Sequence, residues 1–195
     1  MSYRTFEDVK EVILSAHKNT EAGDKVGFYN TWAENYDQDV GLLDYRAPSL
    51  AANCLSPCFH GDRVTAVILD VACGTGLVAA QLKRMGFRHF VGVDGSKGML
   101  ELANKTGLYQ DLKQCMLGDE PLPVQAGGYV CMTTRGNHDN LEYKAALERE
   151  LELMEGAGLW GPVAITEVEE WEKAVAEPEK GYIPGVVYVY RKSSL

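Results

Sequence analysis

The stretch Val67-Ile68-Leu69-Asp70-Val71-Ala72-Cys73-Gly74-Thr75-Gly76 decides the fold. Val67 to Leu69 is a short apolar run that ends in a carboxylate and enters a glycine-rich turn at once, the pattern of a parallel strand buried on both faces. Leu77 to Met85 then reads as a helix that Gly86 stops, and Phe90-Val91-Gly92-Val93 is a second apolar run ending in Asp94. The segment is a β-α-β unit, and it sets the frame for the rest of the chain.

Downstream, Ser96 caps a helix whose apolar positions are Met99, Leu100, Leu102 and Ala103, and which Gly107 ends. Gln114 to Leu117 reads as a third strand, followed by the turn-rich loop Gly118-Asp119-Glu120-Pro121-Leu122-Pro123. Tyr129 to Thr134 reads as a fourth strand, and Leu141 to Glu155 as a helix with Leu147, Leu151 and Met154 facing inward. Two β-like runs, Val163 to Glu169 and Val186 to Arg191, are expected to pair as an antiparallel edge.

Upstream, Thr5 with Asp8 reads as a helix cap, and Phe6, Val9, Ile13, Leu14 and His17 recur on one helical face. Asn19 to Lys25, with Gly23, reads as a turn before a helical piece holding Phe28, Trp32 and Tyr36. A third helix is expected from Ala47-Pro48 to just before Pro57. The expectation is a single α/β domain over 1–195, helical over 1–60 and a doubly wound open sheet over 64–195, with helices on both faces.

At 195 residues, 46% hydrophobic and 24% charged, the chain has the balance of an ordinary soluble globular protein. Its formal charge of −9 argues against a broad phosphate-binding surface, so no nucleic-acid partner is expected. The opening residues lack the basic end and apolar run of a leader, and no stretch has the length of a spanning helix. A cytoplasmic or nuclear monomer without membrane contact is the expectation. The five cysteines are scattered and read as packed thiols. Cys54 and Cys58 share a helix face, but no second pair completes a metal site, so none is expected.

In an open parallel sheet a ligand sits beyond the carboxyl ends of the strands, and Asp70 and Asp94 end two consecutive strands, addressing one crevice. The turn Ala72-Cys73-Gly74-Thr75-Gly76 lets the backbone pass close to a ligand, and its N–H groups open the next helix. Asp94 follows Gly76 by eighteen residues, where a carboxylate accepts hydrogen bonds from a ribose diol. Gly74, Gly76 and Ala79 also satisfy G-x-G-x-x-A, which by itself fits NAD. Asp70 weighs against NAD, because a carboxylate beside the turn repels a pyrophosphate and attracts an ammonium or sulfonium. The bland alternative is that both acids only cap helices and the glycines only turn.

The run Ile68 to Gly76, the pair Val93-Asp94 with Ser96 and Met99-Leu100, and Gly118-Asp119 before Leu122-Pro123 resemble the ordered motifs of class I S-adenosylmethionine-dependent methyltransferases. Trp32-Ala33-Glu34-Asn35-Tyr36-Asp37 is similar to the lid segment of that family. The resemblance implies S-adenosylmethionine as cofactor, with Asp70, Gly74, Thr75 and Gly76 at its methionine portion and Asp94 at its ribose. It also implies Asp119 with Leu117 and Gly118 at the adenine edge, Trp32 and Tyr36 closing over the cofactor, and Ala72, Gly95 and Met99 among its contacts. Trp32 as plain core and Asp119 as a turn residue are the ordinary alternatives. The activity implied is methyl transfer to a nitrogen or oxygen of a small-molecule or protein acceptor.

The chain departs from the family after Pro123. Only Val124-Gln125-Ala126-Gly127-Gly128 separate it from Tyr129, whereas a strand with its crossover helix takes on the order of 30 residues. The chain therefore reads as a shortened, isoform-like member that lacks the family's fourth strand and its helix, with a six-stranded order of 3-2-1-5-7-6 in the family's strand numbering, in which Tyr129 to Thr134, matching the family's fifth strand, fills the vacant slot. Such a loss strikes the wall of the methyl-transfer site, and a displacement near 1 Å can lower a rate about a hundredfold. Weak or absent cofactor binding and little turnover are expected. A silent binding or regulatory protein and a competent enzyme with a rebuilt cleft are the alternatives. His138 with Asp139 is a candidate general-base pair, an incidental loop histidine being its ordinary counterpart.

Overall fold

A computed structural model describes residues 3–16, 22–118, 122 and 125–194. In chain order the elements are α1 (Phe6–Ala16), α2 (Ala22–Leu42), α3 (Ala47–Cys58), β1 (Val67–Val71), α4 (Leu77–Arg84), β2 (His89–Asp94), α5 (Lys97–Lys105), β3 (Asp111–Gln114), β4 (Tyr129–Arg135), α6 (Leu141–Gly156), β5 (Trp160–Lys173) and β6 (Tyr182–Lys192), with a 3-10 turn at His138–Asn140. They form two compact units. The first comprises Met1–Tyr45, Gly61–Pro121 and Val175–Pro178, and the second Arg46–His60, Leu122–Ala174 and Glu179–Leu195.

In the first unit β1, β2 and β3 form a parallel sheet with β2 at its centre. Asp70 pairs with Gly92 and Val71 with Val93, so the two acidic strand ends come to one edge of the sheet. The β-α-β reading is what the structure contains. The third strand lies three residues earlier than expected, because its ladder begins with Val91 opposite Asp111 and ends with Asp94 opposite Gln114. An edge strand needs a matching backbone register more than an apolar pattern, and Cys115, Met116 and Leu117 are thereby released from the ladder.

Helix α1 is held by a reciprocal cap: the Asp8 N–H donates to Thr5 Oγ1 at 3.3 Å, and Asp8 Oδ2 accepts the Thr5 N–H at 2.7 Å. His17 lies outside the described residues. Over residues 22–25 helix α2 replaces the expected turn, running unbroken from Ala22 through Gly23 and Gly27 to Leu42, while Asn19 to Glu21 lie outside the described residues. A helical glycine costs about 1 kcal/mol, and the burial of Trp32, Ala33 and Val40 along one stripe outweighs it.

In the second unit β6 is central, antiparallel to β4 on one side and β5 on the other. Val186, Tyr188 and Tyr190 of β6 meet Leu151 of α6 in a core that Met132, Leu147 and Trp160 complete. The opposite face carries α3, with Ala47, Ala51 and Ala52 buried. The expected order survives as two sheets, β3-β2-β1 and β4-β6-β5, and not as one six-stranded sheet. The ladder of β4 is made to β6 over seven residue pairs, and bonds between Gly127, Gly128 and Lys192 extend it. Among the described residues no helix is long and apolar enough to cross a membrane.

Candidate functional site

The first unit contains a hollow of about 440 Å³ at the carboxyl ends of β1 and β2, a size within the range of small-ligand sites. Its floor is the two strand-tip turns, with Ala72 and Gly74 from one and Asp94, Gly95, Ser96 and Met99 from the other. One wall is α2, through Lys25, Val26, Tyr29 and Tyr36, with Tyr45 beyond its end. Cys115, Met116 and Leu117, freed from β3, close the far side.

The first turn is bent by the backbone itself. Ala72 has φ 54° and Gly74 φ 55°, and a side-chain-bearing residue in the left-handed region stores strain of order 1 kcal/mol or more. Cys73 N–H donates to Val93 O at 3.0 Å, which keeps the turn against the end of β2. The Cys73 thiol is pushed up to about 12 by burial and then by the Asp70 and Asp94 charges, so it stays protonated and unreactive.

Asp94 joins the two turns. Its Oδ2 accepts the Gly74 N–H and its Oδ1 the Ser96 N–H, both at 2.8 Å. Each oxygen keeps a further lone pair, and the side chain lines the hollow. Ser96 Oγ in turn accepts the Met99 N–H at 3.2 Å, capping α5.

Asp70 has a different environment. It is 8% exposed, does not line the hollow, and accepts the Tyr109 hydroxyl at 2.7 Å. Burial pushes its carboxyl up to about 6; the Tyr109 bond opposes that rise and the Asp94 charge adds to it. Burial and the Asp70 charge likewise raise the Tyr109 phenol. The ring reaches Asp70 by crossing β2 at Gly92, where a Cβ would stand 2.9 Å from Tyr109 Cε1 and 2.7 Å from Leu112 Cδ2. It also lies against Gly76, 3.2 Å from where a Cβ would be.

Of the residues singled out in the sequence, Tyr36, Ala72, Gly74, Asp94, Gly95, Met99 and Leu117 line the hollow, whereas Trp32, Asp70, Thr75, Gly76 and Gly118 do not. Trp32 is 9% exposed, donates from Nε1 to Asp39 Oδ2 at 2.7 Å, and meets Tyr36 edge-on at 4.8 Å, so it braces that ring from behind. Thr75 Oγ1 donates to Asp37 Oδ1 at 2.6 Å. Asp119 lies outside the described residues. His138 belongs to the second unit, its side chain 87% exposed and its Nδ1 3.4 Å from Asp139 Oδ1.

Lys25, Val26, Tyr29, Tyr45, Cys115 and Met116 also line the hollow, and no motif in the sequence points to them. A signal for one of them is nonetheless present: Tyr29 and Tyr36 are seven residues apart, two turns of one helical face. A turn at Asn19 to Lys25 would hide the start of that face, and a third strand reaching Leu117 would hide Cys115 and Met116.

Residues 68–154 match a methyltransferase domain family. The chain is 45% identical over 183 residues to human methyltransferase-like protein 27, a match that covers 78% of this chain and 75% of that protein. Among solved structures, a DhpI–SAM–HEP complex has a TM-score of 0.55 at 18% identity, covering 89% of this chain and 100% of that one. Geranyl diphosphate methyltransferase in complex with GPP and sinefungin gives 0.51 at 13% identity, over 73% and 77% of the two chains. An S-adenosylmethionine dependent methyltransferase from Mesorhizobium loti gives 0.50 at 12%, over 73% and 98%. At those identities the structures speak for the shared fold alone.

Proposed function

The chain belongs to the S-adenosylmethionine-dependent methyltransferase family, and from that premise we propose that it is a shortened member whose first unit seats the cofactor weakly and transfers its methyl group little or not at all. The observation that carries this reading is the split between the two strand-end acids. Asp94 bridges both turns and faces the hollow, so its free lone pairs suit a ribose diol, while Met99, Met116 and Leu117 offer an apolar bed for a purine. The residues fit the nucleoside half of the cofactor.

The sulfonium half is served less well. When bound, the cofactor supplies an electrophilic methyl group on a cationic sulfur, and the acid expected beside that charge is held under Tyr109 away from the hollow. Attraction weakens with distance and with the polarity of the intervening medium. The five residues between Pro123 and Tyr129 leave no room for the strand and helix that would wall an acceptor, so alignment of the reacting atoms suffers most. The acceptor is a nitrogen or oxygen of a small molecule or protein, and the protein acts as a monomer.

Calorimetric titration of the whole chain with S-adenosylmethionine tests the reading. A Kd of about 100 μM, or about −5 to −6 kcal/mol, is expected, with the heat lost in Asp94→Ala. A Kd of about 1 μM or tighter overturns the weakened seat, and heat that survives Asp94→Ala overturns the ribose assignment. No heat at millimolar ligand favours a silent protein that keeps only the fold.

A further inference from the structure

We propose that Asn30 and Asp37, polar residues of α2 that do not line the hollow, are positioning residues that pin this helix across both strand-tip turns and so set how tightly the hollow holds a nucleoside. The inference rests on the reading of the hollow as a nucleoside seat. Asn30 Oδ1 accepts two hydrogen bonds beyond β2, from Ser96 Oγ at 2.8 Å and from the Gly98 N–H at 2.9 Å. Asp37 Oδ1 accepts one beyond β1, from Thr75 Oγ1 at 2.6 Å. One end of the helix face is thus tied to the turn that carries Asp94, and the other end of the same face to the turn that carries Gly74.

The spacing makes this a clamp. Residues 30 and 37 are seven apart, two helical turns and roughly 10 Å along the axis, and the lining residues Val26, Tyr29 and Tyr36 share their side of the helix. The position of that wall depends on the two ties. Backbone contact supports them: a Cβ at Gly98 would stand 3.1 Å from Asn30 O and 3.3 Å from Ala33 Cβ, and one at Gly95 would stand 3.2 Å from Val26 Cγ2. The glycines let α2 come this close, and the polar ties fix where along the cleft it stops.

The two residues have different partners, so their effects are separable. Removing Asn30 leaves Ser96 Oγ and the Gly98 N–H to water and frees the Val26 end; removing Asp37 frees the Tyr36 end. A hydrogen bond to an amide oxygen corresponds to about a three- to tenfold change in an equilibrium and one to a carboxylate to somewhat more, of which the helix wall passes a part on to the ligand. Asp37→Asn keeps an amide oxygen that can accept the Thr75 hydroxyl, so it separates the tie from the charge.

The test is calorimetric titration of the full chain with S-adenosylhomocysteine, with the melting temperature of each unliganded variant measured alongside. The expected result is about a three- to tenfold weaker Kd for Asn30→Ala and for Asp37→Ala, and a Kd within about twofold of the parent for Asp37→Asn. A merely structural role would lower the unliganded melting temperature and leave Kd unchanged well below it; that result, or an equal loss in Asp37→Asn and Asp37→Ala, overturns the inference. If Asn30→Ala does not fold, the two Asp37 variants decide by themselves. If the parent chain binds no ligand, the nucleoside reading fails and takes this inference with it, whereas a parent that binds beside variants that bind equally overturns the clamp alone.

Discussion

Replacing Asp70 by asparagine is expected to stabilise the first unit, and to do so only above mildly acid pH. The carboxyl is raised from its ordinary 3.8 to about 6, chiefly by burial, so the folded chain holds the proton more tightly than the unfolded chain does. For an acid raised in this way the penalty is absent below the unfolded pKa, grows between the two values and is complete above the folded one. Each tenfold change in proton affinity is worth about 1.4 kcal/mol, so the roughly hundredfold tighter hold corresponds to about 3 kcal/mol at pH 8, falling below about 1 kcal/mol near pH 4. Asparagine is nearly the same size, and its Oδ1 can still accept the Tyr109 hydroxyl that now bonds Asp70 at 2.7 Å.

The assay is urea unfolding of the parent chain and Asp70→Asn at pH 8, 6 and 4. Other carboxylates titrate in both proteins and cancel in the difference. In melting temperature the gain at pH 8 corresponds to several degrees for a chain of this length. A variant less stable than its parent at pH 8, or a difference that does not change with pH, refutes the argument that an ionised Asp70 is held out of water at a cost.

Arg4→Ala is expected to lower unfolding stability by about 3–5 kcal/mol, because the fully buried Asp39 carboxylate loses the bonds from Arg4 Nε at 2.6 Å and Arg4 Nη2 at 2.7 Å and keeps, among the described residues, the bond from Trp32. Arg4→Lys should recover part of this, since an ammonium cannot reproduce the fork; urea titration at neutral pH measures both. Gly92→Ala puts a Cβ 2.7 Å from Leu112 Cδ2 and 2.9 Å from the Tyr109 ring, so a loss of about 1–3 kcal/mol is expected in the same assay. Gly185→Ala should be costlier, because its Cβ would overlap the Trp171 ring, which is 2% exposed; a urea midpoint close to that of Gly92→Ala would count against the packing described for the second unit.

Where local chemistry dictates structure, the sequence was legible. The apolar run into Asp70, the glycine turn and the run into Asp94 specify β1, α4 and β2 with few alternatives, and Thr5 with Asp8 marks the start of α1. The halves of the strand order were legible too, since β6 is apolar and buried at nearly every position from Gly185 to Tyr190 and so sits between its neighbours. What failed depends on contacts remote in sequence. Gly23 signals a turn locally, but packing of α2 against α5 keeps it helical. The third strand is set by its register against β2, which its own polar residues do not announce. The position of Asp70 under Tyr109 needs Gly92 to leave space on the strand between them, a relation among three segments that no local motif encodes.

These features bear on whether the hollow still serves a ligand. The first turn carries Ala72 at φ 54° and a carboxylate held ionised in a buried position at neutral pH, and each lowers stability. A protein that kept the fold for its shape alone would gain from asparagine at position 70 or glycine at position 72, and single substitutions reach either gain. Strain kept at the strand tips, beside an Asp94 already oriented by two backbone N–H groups, therefore favours a seat that still binds over a silent remnant. The two predictions are linked through the same turn: if Asp70→Asn raises stability at pH 8 and the parent chain shows no affinity for S-adenosylmethionine, the strain has no use there and the silent reading takes its place.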